Sequence, residues 1–298
     1  MQIHLFGAAT PSGEAFRQLI KTDGRYAPLL CYSRSHPERL HADFNDPTTF
    51  RPGGEPGTAA LWISFGPIWL LAPFFEHLAE SHPERLQGLQ GLIACSSSSV
   101  LTKRFSANSF DRELVARLAR AEDQLLVTCK RFQLSCRILR PTLIYGRAGS
   151  YSDRNLSRLV QLMRRLPLIP LPAQTGLRQP IHASQLAAVV YELVNQFSAK
   201  GWDLHQPHCI TLGGDSALSY ASMLRAMQKS LAPGDPARNC YLLSVPNRLF
   251  FFCSAPLLLH SPKAYEAVLR MGADLAGFIP SHQLLSISPQ SFPLPDQA

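Results

Sequence analysis

The order of apolar and amphipathic segments in the first half of the chain restricts its fold more than any other feature. Short apolar runs suited to strands begin at Ile3 and recur in "LLCYS", "ALWISF", "GLIACS" and "CRILRPTLIYG". Segments with apolar residues at helical spacing separate most of them, and the longest is "DRELVARLARAEDQLLVTCKRF". Strands that alternate with helices favour a parallel sheet covered on both faces. We therefore expect a doubly wound α/β fold with its ligand crevice at the carboxyl ends of the strands.

After Gly146 the pattern is less regular and richer in proline. Helical spacing returns in "DRNLSRLVQLMRRL", "ASQLAAVVYELVNQF" and "SYASMLRAMQKSL". The 298 residues, 46% of them hydrophobic, suffice for one large core and a smaller one. We interpret residues 1–146 as a dinucleotide-binding domain. Residues 147–298 then form a smaller, mostly helical lobe for substrate or partner, interleaved with the first domain and folded over the crevice.

Composition narrows the choice of partners and compartment. The net charge is +8, but the arginines are scattered and no basic run with interleaved aromatics occurs, so we predict an anionic small ligand rather than nucleic acid. The seven cysteines form no C-x-x-C pair, which favours reduced core thiols in a cytoplasmic protein. No spacing of His, Cys and carboxylates predicts a metal site. The chain begins directly with a strand-like run, so no export signal is predicted.

Two strongly apolar stretches test the possibility of a membrane span. Gly66, Pro67 and Pro73 interrupt "ALWISFGPIWLLAPFF", and "LFFFCSAPLLL" is shorter than the ~20 residues that a span needs. Neither is expected to cross a bilayer. The second is interpreted as a buried helix, and the alternative is an interfacial or partner-facing helix that would make this apolar C-terminal segment a surface for a protein partner.

The segment "FGAATPSG" has the pattern of a phosphate-binding turn with one exception. Gly7 and Gly13 stand where such a turn requires glycine, but Thr10 occupies the place of closest approach to a pyrophosphate. A bound pyrophosphate would lie slightly farther out or accept a hydrogen bond from the Thr10 hydroxyl. Pro11 suits a first helical turn, and Ser12 offers a further donor near the positive helix end. A purely structural turn is the alternative.

The end of the second predicted strand indicates which dinucleotide would be chosen. An acid that selects NAD by binding the ribose 2′-hydroxyl would stand about twenty residues after the glycine turn. Ser33 and Arg34 are found there instead. Because a guanidinium suits a 2′-phosphate, NADP is preferred over NAD. The alternative is that Arg34 is a solvated surface residue.

Five motifs, "FGAATPSG", "HADFND", "ACSSSSV", "ILRPTLIYG" and "QPIHASQLA", extend over about residues 1–230. In order and spacing they resemble the extended and atypical short-chain dehydrogenases, the NAD(P)-dependent epimerase/dehydratase superfamily, which implies a Rossmann-like fold. The resemblance places Ser97 at the catalytic serine position, and a serine that caps a turn is the alternative. It also implies a set of residues that flank the cofactor: Asp43, Phe44, Ser64, Phe65, Gly66, Pro141 and Leu143.

The acid–base pair of that family is missing from this chain. Relatives resemble "Y-x-x-S-K-x-x-x-E", and matching Glu122 to the glutamate puts Leu114 and Leu118 at the tyrosine and lysine positions. No Tyr-x-x-x-Lys occurs anywhere in the sequence. Since leucine cannot transfer a proton, the usual dehydrogenase step is in doubt. Lys103 is a candidate substitute acid, and a surface lysine is the alternative.

Four residues after the last strand of the first domain are candidates for substrate binding. In sugar-nucleotide relatives this region holds the substrate, and the resemblance extends that role to Arg147, Asn155, Arg178 and His182, with surface charges and a structural histidine as the alternatives. The chain is therefore read as an atypical NADP-binding protein that acts, as an oxidoreductase or epimerase, on nucleotide sugars or other carbonyl substrates. The rival hypothesis is a non-catalytic dinucleotide sensor or assembly protein.

Overall fold

The computed structural model describes residues 1–26, 28–106, 108–202 and 208–296. Its strands follow the apolar runs of the sequence, because buried runs bounded by Gly, Pro and Ser favour extended backbone. The strands are β1 Gln2–Phe6, β2 Leu29–Ser33, β3 Leu40–His41, β4 Ala60–Ser64, β5 Leu89–Cys95, β6 Ser135–Pro141, β7 Ile144–Tyr145, β8 Arg147–Ala148, β9 Tyr151–Ser152, β10 Leu168–Pro172, β11 Leu177–Arg178, β12 Ile181–His182, β13 Cys209–Gly213, β14 Leu218–Ser219, β15 Tyr241–Val245 and β16 Ile279–Pro280.

The helices lie between these strands, where amphipathic spacing predicts them. They are α1 Pro11–Asp23, α2 Ile68–Ser81, α3 Ser99–Thr102, α4 Ser109–Arg131, α5 Leu156–Arg165, α6 Ala183–Lys200, α7 Tyr220–Ser230, α8 Asn247–Ser254, α9 Leu257–His260, α10 Pro262–Leu269 and α11 Ser281–Leu285.

Eight strands form one parallel sheet in the order β16-β13-β6-β5-β4-β1-β2-β3. Helices α1 and α6 cover one face, and α2 and α4 cover the other. This confirms the doubly wound α/β fold. The strand order reverses beside β1, so a crevice opens there at the carboxyl ends of β1 and β4, where folds of this class bind ligands.

Two cores sandwich the sheet, and a third lies apart from it. Side chains along β1 point alternately to the two faces of the sheet. Ile3 and Leu5 join the core under α1 and α6, whereas Phe6 joins the aromatic core under α2 and α4. The third core packs Met163 of α5 against Met223 of α7 beside the parallel pair β10 and β15. The chain after residue 146 also returns β13, β16 and α6 to the large sheet.

The apolar C-terminal stretch is not a buried helix, which corrects that expectation. "LFFFCSAPLLL" forms most of α8 and all but the last residue of α9, and only Phe250 is buried. Most of its other side chains are exposed, among them Phe252 and Leu259. The cysteine prediction also needs one correction, because Cys253 of α8 is exposed while Cys95, Cys129, Cys136 and Cys240 are buried free thiols.

Candidate functional site

The turn between β1 and α1 requires glycine at two positions because backbone approaches backbone there. Gly7 has a φ of +79°, and a Cβ on it would lie 2.8 Å from the Gly66 nitrogen. A Cβ on Gly13 would lie 2.3 Å from the Gly7 carbonyl oxygen. Both glycines therefore set the distance between the start of α1, the end of β1 and the turn after β4.

Thr10 fits the turn without strain and closes it with its side chain. Its backbone is extended, with φ −110° and ψ 157°, and it is the N-cap of α1. The Thr10 hydroxyl donates to the Gly7 carbonyl at 2.8 Å and accepts from the Gly13 N–H at 3.1 Å. The hydroxyl is thus already engaged within the loop. A pyrophosphate would therefore accommodate Thr10 by lying slightly farther from the turn.

The cap also limits how many N–H donors the helix presents. Pro11 has no N–H, the Gly13 N–H binds the Thr10 hydroxyl, and the Glu14 N–H binds the Thr10 carbonyl at 2.9 Å. The Ser12 N–H has no partner among the described residues, and its hydroxyl is buried without one as well. A phosphate group fits this helix end, with Ser12 as its main donor.

The buried carboxylate next to the turn is neutralised locally. Glu14 is bound by Arg17 at 2.7 Å and by Gln18 at 3.2 Å. The hydrogen bond from Arg17 is the main reason why the pKa of Glu14 lies below its usual value. Glu14 therefore adds little repulsion against an anion at the start of α1.

The residues after β2 form a short polar turn around Ser33. Its hydroxyl accepts from the N–H of Ser35 at 3.3 Å and of His36 at 3.1 Å, whereas the Arg34 side chain is exposed. Arg34 lies near Asp43. Hydrogen bonds from Asn45 lower the pKa of Asp43 most, and the positive charge of Arg34 adds to the effect.

The turn after β4 lies against the glycine turn and Phe44. The Ser64 hydroxyl is fully buried and accepts from the Gly66 N–H at 3.2 Å. Phe65 continues the edge, since its N–H binds the Phe6 carbonyl at 3.0 Å. A Cβ on Gly66 would lie 3.0 Å from the Phe44 ring. The structure thus brings the predicted cofactor residues Gly7, Gly66 and Phe44 to one edge of the sheet.

A crevice of about 410 Å³ opens beyond β5 and β6. Ser97 and Lys103 line it together with Pro141 and Leu143, so these predicted residues do meet. The Ser97 hydroxyl lies 3.0 Å from that of Ser99 and accepts from the Ser99 N–H at 3.1 Å. Ser97 therefore caps the turn, and its hydroxyl donates its hydrogen to Ser99.

Asp111 of α4, which the sequence did not single out, lies behind the crevice and binds two of its lining cations, Lys103 and Arg270. It is 3% exposed and accepts from Lys103 Nζ at 2.7 Å, from Asn108 Nδ2 at 2.8 Å and from the guanidinium of Arg270. Burial alone would raise its pKa, but the hydrogen bonds from Asn108 and Lys103 and the nearby charges lower it to about 2. Asp111 therefore stays ionised and holds two cations at the crevice wall.

Arg178 supplies a third cation, and carbonyl oxygens hold it. Its guanidinium donates at 2.7 Å to the carbonyls of Leu177 and Ala273 and stacks on the Tyr220 ring at 5.2 Å. Burial lowers its pKa from the usual value. The described residues that line the crevice include Lys103, Arg178 and Arg270 but no carboxylate. The lining side chains thus include three cations, and the carboxylate of Asp111 lies behind two of them.

The other predicted substrate residues are divided between two places. Asn155 lines the same crevice. Arg147 is exposed and lies beside the C-terminal residues. Its backbone N–H donates to the Asp296 carboxylate at 2.8 Å. The structure therefore does not bring Arg147 together with Ser97 and Lys103 in this crevice.

His182 caps α6. Its Nδ1 accepts from the Ser184 N–H at 3.3 Å, and Gln185 completes a capping box by accepting from the His182 N–H at 3.0 Å. The ring is fully buried, and burial is the main reason why its pKa is lowered. Its Nε2 lies 3.7 Å from an Asp296 oxygen. These contacts correspond to the structural alternative.

The start of α4 presents leucine toward the aromatic core. Glu122 fixes the register of the helix because Arg140 Nε donates to both of its oxygens, at 3.1 and 3.0 Å. One turn earlier, Leu118 is 1% exposed inside the core under α2 and α4, and Leu114 packs partly against it. An ionised group at residue 118 would lose its hydration at this depth.

Within the described ranges, no group of three or more His, Cys, Asp or Glu side chains is arranged to hold a metal ion. No helix in the same ranges is long and apolar enough to cross a membrane.

Among the comparisons with known proteins, only the one with solved structures found matches, and these bear on the fold. No family model matches the chain, and no curated protein matches it. The human epimerase family protein SDR39U1, solved with NADPH, is 12% identical with a TM-score of 0.62 over 99% of this chain and 96% of that one.

Two epimerase structures from Bacillus cereus are similar over comparable lengths. UDP-N-acetylglucosamine 4-epimerase is 14% identical with a TM-score of 0.60, covering 98% of this chain and 94% of that chain. UDP-glucuronic acid 4-epimerase, solved with NAD, is 15% identical with a TM-score of 0.58, covering 98% and 92%. The chain has the fold of the NAD(P)-dependent epimerases and dehydratases over nearly its whole length, which confirms the resemblance at the level of the fold.

Proposed function

We propose that the protein binds a nicotinamide dinucleotide, NADP in preference to NAD, at the carboxyl edge of its sheet and a small anionic carbonyl compound in the adjoining crevice. The observation that carries the proposal is that Ser97 lines a crevice with three cationic side chains, at the same carboxyl edge of the sheet as the glycine turn after β1. Solved neighbours that contain NADPH or NAD support a nicotinamide dinucleotide as the cofactor. The free thiols support a cytoplasmic location.

The residues present fit such a cofactor. Gly7 and Gly13 provide the close turn, and the Ser12 N–H provides the donor for a phosphate. Arg34 beyond β2 would bind a 2′-phosphate, which is the basis for preferring NADP. When bound, a nicotinamide supplies or accepts hydride.

The chain's own groups act on the substrate. Ser97 rotates its hydroxyl away from Ser99 and donates a hydrogen bond to the substrate oxygen, which stabilises negative charge developing there. Lys103, Arg178 and Arg270 attract and orient an anionic substituent such as the diphosphate of a nucleotide sugar. Lys103 keeps Nζ hydrogens beyond the one given to Asp111, so it can donate a proton from the crevice wall that it shares with Ser97.

A turnover assay tests this proposal. NADPH consumption is followed with ketone and nucleotide-sugar substrates for the natural chain, Ser97→Ala and Lys103→Gln. We expect Ser97→Ala to lower kcat about 100-fold, because it removes a donor aimed at the developing oxyanion, while NADPH affinity is unchanged. Turnover that is the same in Ser97→Ala as in the natural chain would remove Ser97 from the mechanism.

A second candidate function rests on the leucines of α4 at the positions matched to the proton-transferring pair. With Leu118 at 1% exposure in the family's lysine position, the protein binds the dinucleotide but transfers no hydride, as a sensor or assembly protein. This alternative predicts NADPH binding with no consumption on any substrate of the panel. The same assay, combined with a binding measurement, therefore separates the two functions.

A further inference from the structure

The surface formed by α8, α9, α10 and the loop before α4 exposes an unusual amount of apolar side chain. Phe105 is 92% exposed, Leu259 86% and Phe252 77%. All six residues from Ala255 to His260 are exposed, and five of them are apolar. Helix α10 packs on α8 and α9, so the three helices form one layer, here called the apolar cap. Contiguous apolar surface of this kind marks an interaction site.

Contacts join the first turn of α4 to this cap. Lys263 of α10 places its Nζ 6.0 Å from the centre of the Phe110 ring, and Arg270 after α10 binds Asp111. Phe110 thus belongs to the same side of the molecule as α10, and Phe105 precedes it in the chain. The other end of the cap carries Phe252, on the exposed side of α8 away from the buried Phe250.

The charge of this surface is positive. Residues 101–113 and 246–273 contain six lysines and arginines but three acidic residues. Asp111 and Glu266 are both engaged by Arg270, whereas Arg104, Arg248 and Lys263 form no ion pair within the part of the chain that the structure describes. Arg104 stacks on Phe105 at 5.6 Å, so cations and apolar rings alternate at the surface.

We propose that the apolar cap docks on an anionic lipid surface without crossing it. Exposed Phe and Leu insert into the boundary between headgroups and acyl chains, and the flanking cations bind the anionic headgroups. The helices have eight, four and eight residues, which is too short for a span and suits a position parallel to the membrane plane. This inference does not depend on the proposed cofactor or substrate.

Vesicle flotation with the full chain tests the proposal. Vesicles contain phosphatidylcholine alone or mixed with phosphatidylglycerol, in low and high salt. We expect flotation only with phosphatidylglycerol, weakened by salt because surface charge is screened beyond about 8 Å. The variant Phe252→Ser with Leu259→Ser lowers partitioning about tenfold or more. Replacing Arg248 and Lys263 by glutamine lowers it about fivefold per cation.

Matched controls keep the result interpretable. Val127→Ser removes a 66% exposed apolar side chain on α4 away from the cap and leaves flotation unchanged. The cap variants should keep the natural melting temperature, because the residues they change are exposed. Absence of flotation with both vesicles, or equal flotation of the Phe252→Ser and Leu259→Ser variant, overturns the proposal. A dimer in solution that this variant dissociates also overturns it, since a second copy would then cover the cap.

Discussion

The turn after β1 and helix α4 depart in different ways from the motifs of the epimerases and dehydratases that the sequence resembles. At the turn, Thr10 replaces a glycine, yet Gly7 and Gly13 keep the close backbone contacts and the hydroxyl completes a helix cap. At α4, the residues matched to the proton-transferring pair are Leu118, in the core, and Leu114, partly packed against it. A binding turn thus tolerates a changed side chain when the backbone geometry is retained, whereas an acid–base pair exists only through its side chains.

Leu118→Lys sharpens this contrast most. If residue 118 faces the core, as its 1% exposure indicates, the lysine must bury its charge or distort α4. We expect a loss of about 3 kcal/mol or more in the free energy of unfolding, measured with urea. Leu114→Lys is the control, and its partly exposed site should cost about 1 kcal/mol. A Leu118→Lys protein as stable as the natural one would mean that residue 118 faces the crevice.

Gly13→Ala tests the close backbone contacts of the turn after β1. Its Cβ would lie 2.3 Å from the Gly7 carbonyl oxygen. Relieving this overlap requires the backbone to move, which is costly. The expected loss is about 2–3 kcal/mol of unfolding free energy, together with loss of NADPH binding. Gly234→Ala, where no atom lies within 4 Å of the new Cβ, should change stability by less than about 0.5 kcal/mol. Equal stabilities for the two variants would refute the close turn.

Asp111→Asn breaks the contact between α4 and Arg270 after α10. Lys103 and Arg270 lose their shared carboxylate at a site that is 3% exposed, so we expect a loss of about 2 kcal/mol in unfolding free energy. Asp235→Asn is the matched control, because Arg164 and Asp235 form an ion pair nearer the surface and its loss should cost less than about 1 kcal/mol. If the two variants lose the same free energy of unfolding, the Asp111 contact stabilises the fold no more than a surface ion pair does.

The same carboxylate predicts an acid dependence of stability. The pKa of Asp111 is about 2 in the folded state, below the value of about 3.9 for an unfolded aspartate. Its contribution is therefore complete above pH ~4 and disappears as the pH falls toward about 2. Urea midpoints measured across this range should fall less steeply for Asp111→Asn than for the natural chain. Parallel curves would show that the carboxylate is not held by its cations.

Thr10→Gly has the smallest expected effect, and its two consequences have opposite signs. Loss of the cap costs a few tenths of a kcal/mol to about 1 kcal/mol of stability. The Gly13 N–H, now bound to the Thr10 hydroxyl, becomes available to a phosphate, so NADPH should bind more tightly. Thr10→Ser keeps the cap and should leave the affinity unchanged. Weaker binding by Thr10→Gly would mean that the hydroxyl itself contacts the cofactor.

Local features of this protein could be predicted from sequence, and long-range contacts could not. The strand "LLCYS" and the glycine turn depend on neighbouring residues, and both were found where the pattern placed them. Asp111 binds Arg270, which lies 159 residues later in the chain, and no local sequence pattern predicts such a pair. The segment "LFFFCSAPLLL" was assigned to the interior from its hydropathy alone, but burial depends on what the rest of the fold places over a helix, and here only Phe250 is covered.

Calorimetric titration with NADPH and NADH tests the central proposal, that the turn after β1 binds a dinucleotide. The natural chain and Arg34→Asp are compared under the same conditions. We predict saturable binding that is tighter for NADPH than for NADH, with this preference lost in Arg34→Asp because the 2′-phosphate loses its guanidinium. No heat of binding with either dinucleotide would contradict the account, since Gly7 and Gly13 would then preserve only a turn.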